Sequence, residues 1–159
     1  LMKAVRSLEI GQLGLKLKGI AEWSDMKLED VLVHAADQRL FAVCEAFRRG
    51  MDVEEIHQIT YIDPWFLQKV QDLVDLESAF RAHKGLPDED LLRRAKLQGF
   101  NDRYLAELWG VKETEIRALR ARWNIQPTYK IVDTCAAEFE AETPYYYSTY
   151  ERENELMMI

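Results

Sequence analysis

Several protein classes are excluded by what the sequence lacks. It has two cysteines among 159 residues, Cys44 and Cys135, and because neither belongs to a C-x-x-C pair, no disulfide framework is predicted. An apolar run of about 18 residues, which a membrane-spanning helix needs, is missing, so no membrane partner is expected. The N-terminus has no basic segment followed by an apolar one, so no secretory signal is predicted and a cytoplasmic location is expected.

Positive charge is also scarce. The chain has 21 basic and 28 acidic side chains and a net charge of −7, and residues 133–159 hold seven of the acids against one base. The body before residue 133 is therefore close to neutral, and the tail is acidic. Neither part has the basic surface that nucleic-acid binding normally requires, so we predict no nucleic-acid partner.

Apolar residues recur with helical spacing as far as Trp123. The pattern predicts an all-α fold, an irregular helical bundle built from two helix-turn-helix-like repeats, with an extended C-terminal tail packed on it. The first helix starts at Leu1 with no capping residue before it, which suggests a piece of a longer protein. Predicted helices span residues 1–10, 26–33, 37–49, 52–60, 63–83, 88–99, 102–110 and 112–123, with a glycine-containing loop at 11–25.

The tail is predicted from residue 127 onward, where prolines, threonines and aromatic residues replace the helical pattern. We expect it to be extended, with short strand character. Val132, Phe139 and the tyrosines at 145–147 are apolar enough to pack on the helices, so removing the tail from Asp133 is expected to destabilise the domain.

The helical part contains an internal repeat at an offset of 49 residues. Each copy reads as a helix, a glycine, a short helix, a tight turn and a longer helix. The matching positions are apolar or glycine, so the repeat duplicates a packing unit and no polar constellation. They pair Ala46 and Gly50 with Ala95 and Gly99, Ile56, Ile59 and Ile62 with Leu105, Leu108 and Val111, and Leu67 and Val70 with Ile116 and Leu119.

The second copy has helix-turn-helix spacing over residues 101–123. A DNA-binding protein would present Arg117, Arg120 and Arg122 outward from its second helix. The alternative is a structural αα-corner whose arginines are solvated or paired, such as Glu113 with Arg117.

Residues with catalytic or metal-binding chemistry are dispersed. His34, His57 and His83 lie far apart, with no spacing typical of metal ligands. Cys44 belongs to an apolar stripe with Leu40, Val43 and Phe47 and is predicted to be buried, while Cys135 has no neighbour that would activate its thiol. No phosphate-binding glycine loop is present. The residues by themselves therefore predict no catalytic, cofactor-binding or metal-binding residue.

One apolar face is a candidate interface. Leu28, Val31 and Leu32 share one side of the short helix at 26–33. Phe41 lies about 100° from the Leu40 stripe, on a side where Glu45 and Arg48 are expected to face water. We predict a two-fold contact between copies of the chain through these four residues. The alternative is that this helix only covers the bundle.

The tail carries a more specific signal. The run PTYKIVDTCAAEFEAETPYYYSTYE at residues 127–151 closely resembles the connector in the middle of the large subunit of carbamoyl-phosphate synthase. MKAVRSLEIG at residues 2–11 resembles the end of that subunit's first synthetase half. DPWFL at 63–67 and GVKETEIRALR at 110–120 also fit the family's helical domain.

This resemblance implies a fragment of a large ATP-dependent ligase. The family's large subunit has two ATP-grasp halves, which phosphorylate bicarbonate and then carbamate for arginine and pyrimidine biosynthesis, using ammonia from a glutaminase small subunit. A helical oligomerisation domain joins the halves. ATP and Mg²⁺ or Mn²⁺ would belong to those halves, with no cofactor and no catalytic residue in the fragment.

The resemblance also implies boundaries and partners. Residues 1–11 would end the preceding synthetase half, 12–126 would form the oligomerisation domain, and 127–159 would connect to the second half. The expected partners are a second copy of the chain and the flanking ATP-grasp halves. The competing hypothesis is an independent helix-turn-helix module that binds DNA or another protein.

Overall fold

The computed structural model describes residues 1–134, 138 and 145–158, and Cys135 and Phe139 lie outside them. The chain divides into two compact units, Leu1–Lys84 and Gly85–Ile159. The predicted all-α class is confirmed. The helices are α1 (Met2–Ser7), α2 (Asp25–Val33), α3 (Arg39–Arg48), α4 (Val53–Thr60), α5 (Pro64–Ala82), α6 (Glu89–Leu97), α7 (Asp102–Trp109) and α8 (Glu113–Arg122), and the strands are β1 (Thr128–Val132) and β2 (Tyr145–Thr149).

Helix starts follow the capping residues of the sequence. Asp52 accepts a hydrogen bond from the Glu55 backbone, and the Glu55 carboxylate accepts one from the Asp52 backbone, which is the reciprocal arrangement of a capping box. Asp63 caps α5, whose first residue is Pro64. Asp88 caps α6 by accepting from the Leu91 N–H at 2.8 Å.

Helix α3 is the centre of the first unit. Every side chain from Phe41 to Phe47 is buried. The expectation of a single apolar stripe, with Glu45 and Arg48 in water, is therefore wrong. Glu45 is buried and Arg48 is half-buried. Arg48 lies 3.1 Å from the Glu77 carboxylate on α5 and also pairs with Glu45.

Three arginines connect α3 to the backbone around it. Arg39 donates to the carbonyl oxygens of Leu32 and Thr60, each at 2.8 Å. Those two carbonyls belong to the last turns of α2 and α4, where a helix leaves its oxygens without a partner of its own. Arg48 and Arg49 act in the same way on the glycine-containing loop before α2, through carbonyls that include Trp23 at 2.8 Å.

The 49-residue repeat has matching backbone bonds in the two units. After α3, the Met51 N–H donates to the Ala46 carbonyl at 3.1 Å, and after α6 the Phe100 N–H donates to that of Ala95 at the same distance. Gly50 and Gly99 both adopt positive φ at these ends, 92° and 87°. Each unit therefore contains one copy of the same helix-ending geometry.

One repeat position differs in chemistry. Helix α7 ends on Gly110 at φ 68°, and the equivalent end of α4 is Tyr61 at φ 54°. A tyrosine in the left-handed region is strained where a glycine would not be. Tyr61 is also 85% exposed, so burial within the unit does not explain it.

The tail forms a short antiparallel hairpin in which Val132 pairs with Tyr145 and Thr128 with Thr149. The outer edge of β1 is covered by the segment after β2, since Asn154 and Glu155 side chains accept the N–H groups of Tyr129 and Ile131. The expected burial of Val132, Tyr145 and Tyr147 is wrong, because the hairpin leaves all three exposed.

Within the described ranges, no helix has both the length and the apolar character that a membrane crossing requires.

Candidate functional site

The histidines do not form a site. His34 Nδ1 lies 3.1 Å from the Asp30 carboxylate in an exposed pair, and His57 Nδ1 lies 2.7 Å from the Ile62 carbonyl. His83 ends the long helix α5. In residues 1–134, 138 and 145–158, no three His, Cys, Asp or Glu side chains are grouped closely enough to hold a metal ion.

Cys44 is a core residue, as predicted, with no exposed surface. Burial raises the pKa of its thiol to about 12, despite the opposing charge of Arg48. A thiol with such a pKa stays protonated at neutral pH and is a poor nucleophile.

The four interface candidates lie mostly inside the first unit. Leu28, Leu32 and Phe41 are 3%, 1% and 1% exposed, and Val31 is half-buried. The expectation that this face remains exposed after the core is built is wrong for the three buried residues, because α2, which holds Leu28 and Leu32, packs against α3, which holds Phe41. Their contact with a second copy stays a prediction. The exposed apolar residues of α2 are Met26 and Val33.

The arginines of the helix-turn-helix copy are divided between two environments. Arg117 pairs with Glu113 on the surface, as the structural alternative proposed. Arg122 is exposed. Arg120 does not point outward: its Nη1 donates to the Asp102 carboxylate at 2.6 Å and its Nε to the Ile125 carbonyl at 3.2 Å. The predicted row of three outward arginines is therefore incomplete.

Asp102 is the centre of a buried charge cluster in the second unit. Lys96 Nζ donates to Asp102 at 2.8 Å and also to the Phe100 carbonyl. Helix α7 begins at Asp102, as predicted, and Asn101 caps it by accepting from the Tyr104 N–H at 2.7 Å, so the Asp102 side chain is not needed as the cap and turns inward. The sequence pattern indicates only a helix start at Asp102, because its partner Arg120 lies 18 residues away.

The electrostatics of Asp102 favour its charged form. Burial alone would raise the pKa of this carboxyl group, but the hydrogen bonds and charges of Lys96 and Arg120 outweigh it and hold the pKa below its ordinary value of 3.8. The ring of Tyr150 covers the cluster, with Lys96 Nζ 5.1 Å and Arg120 Cζ 5.4 Å from its centroid. Tyr150 thus packs the end of the hairpin on the second helical copy.

Lys130 of β1 holds the end of the chain. Its Nζ lies 3.3 Å from Glu153, 3.5 Å from Glu151 and 3.6 Å from Glu155. The hydrogen bond with Glu153 and the neighbouring carboxylates raise the pKa of Lys130. Part of the acidity of the tail is therefore compensated within the tail.

A cleft of about 1000 Å³ opens in the second unit beside α6 and the hairpin ends. Its charged lining is mixed: Arg93, Arg94 and Arg152 alternate with Asp90 and Glu151. Arg93 already binds Glu89 and donates to a backbone carbonyl. Because positive and negative side chains alternate along the lining, the cleft favours neither an anionic nor a cationic ligand.

The chain matches the model of a known protein family. The model of the family described as carbamoyl-phosphate synthetase large chain, oligomerisation domain, matches residues 1–124 of the chain. The match covers both helical copies and ends just after α8, before the hairpin.

Replacing Asp102 by Asn is expected to destabilise the second unit. Buried Lys96 and half-buried Arg120 would lose their counter-charge, and breaking a buried pair typically costs about 3–5 kcal/mol. Because the folded pKa is lowered, the advantage of the wild type is complete at about pH 7 and disappears as the pH falls through that pKa. Urea unfolding followed by circular dichroism at several pH values measures the difference.

The control for that variant is Glu113→Gln, which breaks the surface pair with Arg117 and should cost at most about 1 kcal/mol. Equal and pH-independent effects of the two substitutions would contradict the proposed role of Asp102.

Cys44 is expected to resist alkylation while the first unit is folded, because its thiol is buried and protonated. Iodoacetamide labelling at neutral pH, with mass spectrometry of the peptide that contains Cys44, tests this. The same peptide should be labelled fully in denaturant. Rapid labelling in native buffer would show that α3 is not the closed centre of the unit.

Proposed function

The chain belongs to the family of the carbamoyl-phosphate synthetase large chain oligomerisation domain, and from this premise we propose that it is a non-catalytic oligomerisation and scaffold domain. The observation that carries the proposal is that the charged side chains inside the two units are bonded to groups of the same unit. Arg39, Arg48 and Arg49 are committed to backbone carbonyls or buried carboxylates, and Asp102 to two cations. Groups so committed stabilise a rigid shape and are not available to a substrate.

In the parent enzyme we propose a positional role for this domain. Two ATP-grasp halves would phosphorylate bicarbonate and then carbamate, with ammonia supplied by a glutaminase small subunit. Carbamate is unstable in water, so the two halves need a fixed relative placement that keeps it from bulk solvent. Residues 1–11 would end the first half, 12–126 would form the rigid domain and 127–159 would lead to the second half. The parent would act in the cytoplasm, in arginine and pyrimidine biosynthesis.

Nucleotide and divalent metal would be bound by those halves and not by this chain. Supporting this, the sequence has no phosphate-binding glycine loop, and the carboxylates Glu77 and Asp102 are each paired with two basic side chains.

The family description also supports self-association, and we propose that α2 provides the contact between copies. Leu28, Val31, Leu32 and Phe41 remain the candidate residues from the sequence. Since Leu28 is buried and Met26 is 80% exposed, the two positions test different versions of the proposal. A surface contact requires Met26, and a contact that depends on the packing of α2 requires Leu28.

We expect the wild type to form at least a dimer in light scattering, and Met26→Glu to give folded monomer because it places an unpaired charge in the contact. Leu28→Glu should also yield monomer and, because Leu28 is buried, should lower the melting temperature as well. Ala79→Glu, an equally acidic change at an exposed position of α5, should leave the dimer intact.

Two results would contradict this assignment. A wild type that is monomeric at high concentration would show that the isolated chain does not self-associate. A Leu28→Glu variant that unfolds, together with a dimeric Met26→Glu variant, would show that α2 serves only the core.

The competing function, an independent DNA-binding module, makes the opposite prediction for charge. With a net charge of −7 and Arg120 turned inward, the chain should release few counterions, and we expect no duplex binding at physiological salt. Fluorescence anisotropy with labelled duplex at several salt concentrations tests this. Micromolar affinity with a steep salt dependence would favour the competing function.

A further inference from the structure

Tyr150, the residue that follows β2, brings the hairpin onto the helices of the second unit. Its ring lies over cations of two different helices, Lys96 of α6 and Arg120 of α8, which are 5.1 Å and 5.4 Å from its centroid. Among the residues that the structure describes, β1 has its broad contacts with β2 and with the short helix Glu155–Met158, and neither strand packs as broadly on a helix. The contact between the hairpin and the helices is therefore narrow, and Tyr150 is central to it.

The two cations under Tyr150 belong to a charge cluster, which we define as Lys96, Asp102 and Arg120. Each member comes from a different helix, since Asp102 is the first residue of α7. Their side chains are 6%, 10% and 18% exposed. Both cations donate to Asp102, so the cluster connects α6, α7 and α8. Charge interactions weaken when water enters, and the cluster therefore depends on the side chain that covers it.

The other side of Tyr150 borders open space. Tyr150 lines the cleft of about 1000 Å³ beside α6, and the three members of the charge cluster are not among the described residues that line it. Ile125 also lines the cleft, but its N–H is bonded to the Arg120 carbonyl at 2.8 Å, which fixes it to the end of α8. Tyr150 arrives from the hairpin. It therefore separates the cleft from the charge cluster only while the hairpin is in place.

We propose that Tyr150 is a conformational latch, which closes the charge cluster when the hairpin is docked and opens it to the cleft when the hairpin lifts. Docking of the hairpin and closure of the cluster are then one equilibrium. Proteins open locally in such cooperative units at a lower free energy than global unfolding requires. In the open state the amine of Lys96 becomes accessible to reagents in solution.

The latch has a consequence for the parent enzyme, and this consequence rests on the proposed function. Residues 127–159 would lead to the second synthetase half, so the hairpin would move with that half. Tyr150 would transmit the movement to the charge cluster and to the packing of α6, α7 and α8. The latch itself requires only the 159-residue chain.

Pulse acetylation of lysines in the 159-residue chain, read by mass spectrometry, tests the latch. Tyr150→Ser removes the ring and should accelerate acetylation of Lys96 at least about tenfold, because two cation–π contacts are lost. Tyr150→Phe keeps the ring and should leave the rate close to that of the wild type. Lys84 is exposed and serves as the internal reference, whose rate should not change in either variant.

The matched control is Tyr147→Ser, the same substitution at a tyrosine of β2 that is 45% exposed. Because the described contacts place Tyr150 and not Tyr147 over the charge cluster, this control should leave the acetylation of Lys96 unchanged.

Low concentrations of urea test the latch in the wild type. Hydrogen–deuterium exchange of β1 and β2 and acetylation of Lys96 should increase together, because one opening exposes both. This increase should occur at urea concentrations where the amides of α7 and α8 still exchange slowly. If Tyr150→Ser loses its helical signal in circular dichroism, this measurement decides alone.

Three outcomes would overturn the proposal. Unchanged acetylation of Lys96 in folded Tyr150→Ser, with faster exchange of the hairpin amides, would show that the hairpin moves without opening the cluster. Equal acceleration by Tyr150→Phe would show that the ring does not close it. Acetylation of wild-type Lys96 only as α7 and α8 unfold would show that the helices alone close the cluster. None of these measurements involves self-association, so the proposed function stands or fails separately in light scattering.

Discussion

The first unit depends on the arginines of one buried helix. Helix ends leave carbonyl oxygens without intrahelical partners, and leaving such groups buried and unsatisfied is costly. Arg39 satisfies the ends of α2 and α4, while Arg48 and Arg49 satisfy the loop that precedes α2. Since α3 itself is enclosed from Phe41 to Phe47, the surrounding elements are positioned by bonds to one rigid centre. The proposed scaffold role requires such a centre.

The second unit repeats the backbone geometry of the first unit but pairs its buried charges differently. The helix-ending bonds at Met51 and Phe100 match at the repeat offset, but the buried charges do not. The first unit joins Arg48 to Glu77, and the second unit places Asp102 between two cations under the ring of Tyr150. What was duplicated is therefore a way of packing helices, and each copy stabilises it separately. This agrees with a structural and associative function and with membership of an oligomerisation-domain family.

Local features could be predicted from the sequence, and long-range pairing could not. The capping box at Asp52 and the start of α5 at Pro64 depend on neighbours within one turn. Glu77 and Asp102 acquire their roles from arginines 29 and 18 residues away, which no periodicity reveals. The interface candidates failed to be exposed for a similar reason. An apolar face such as that of Leu28 has the same pattern whether it meets a second copy or the core of its own unit.

The central claim is that a rigid internal frame carries an associating surface, and hydrogen–deuterium exchange of the 159-residue chain at increasing protein concentration tests it most directly. The account predicts that amides of α3 exchange slowly at every concentration, because the helix is enclosed. Amides of α2 should become more protected as the concentration rises. Exchange of α3 as fast as that of α2, with no concentration dependence in either helix, would contradict the account.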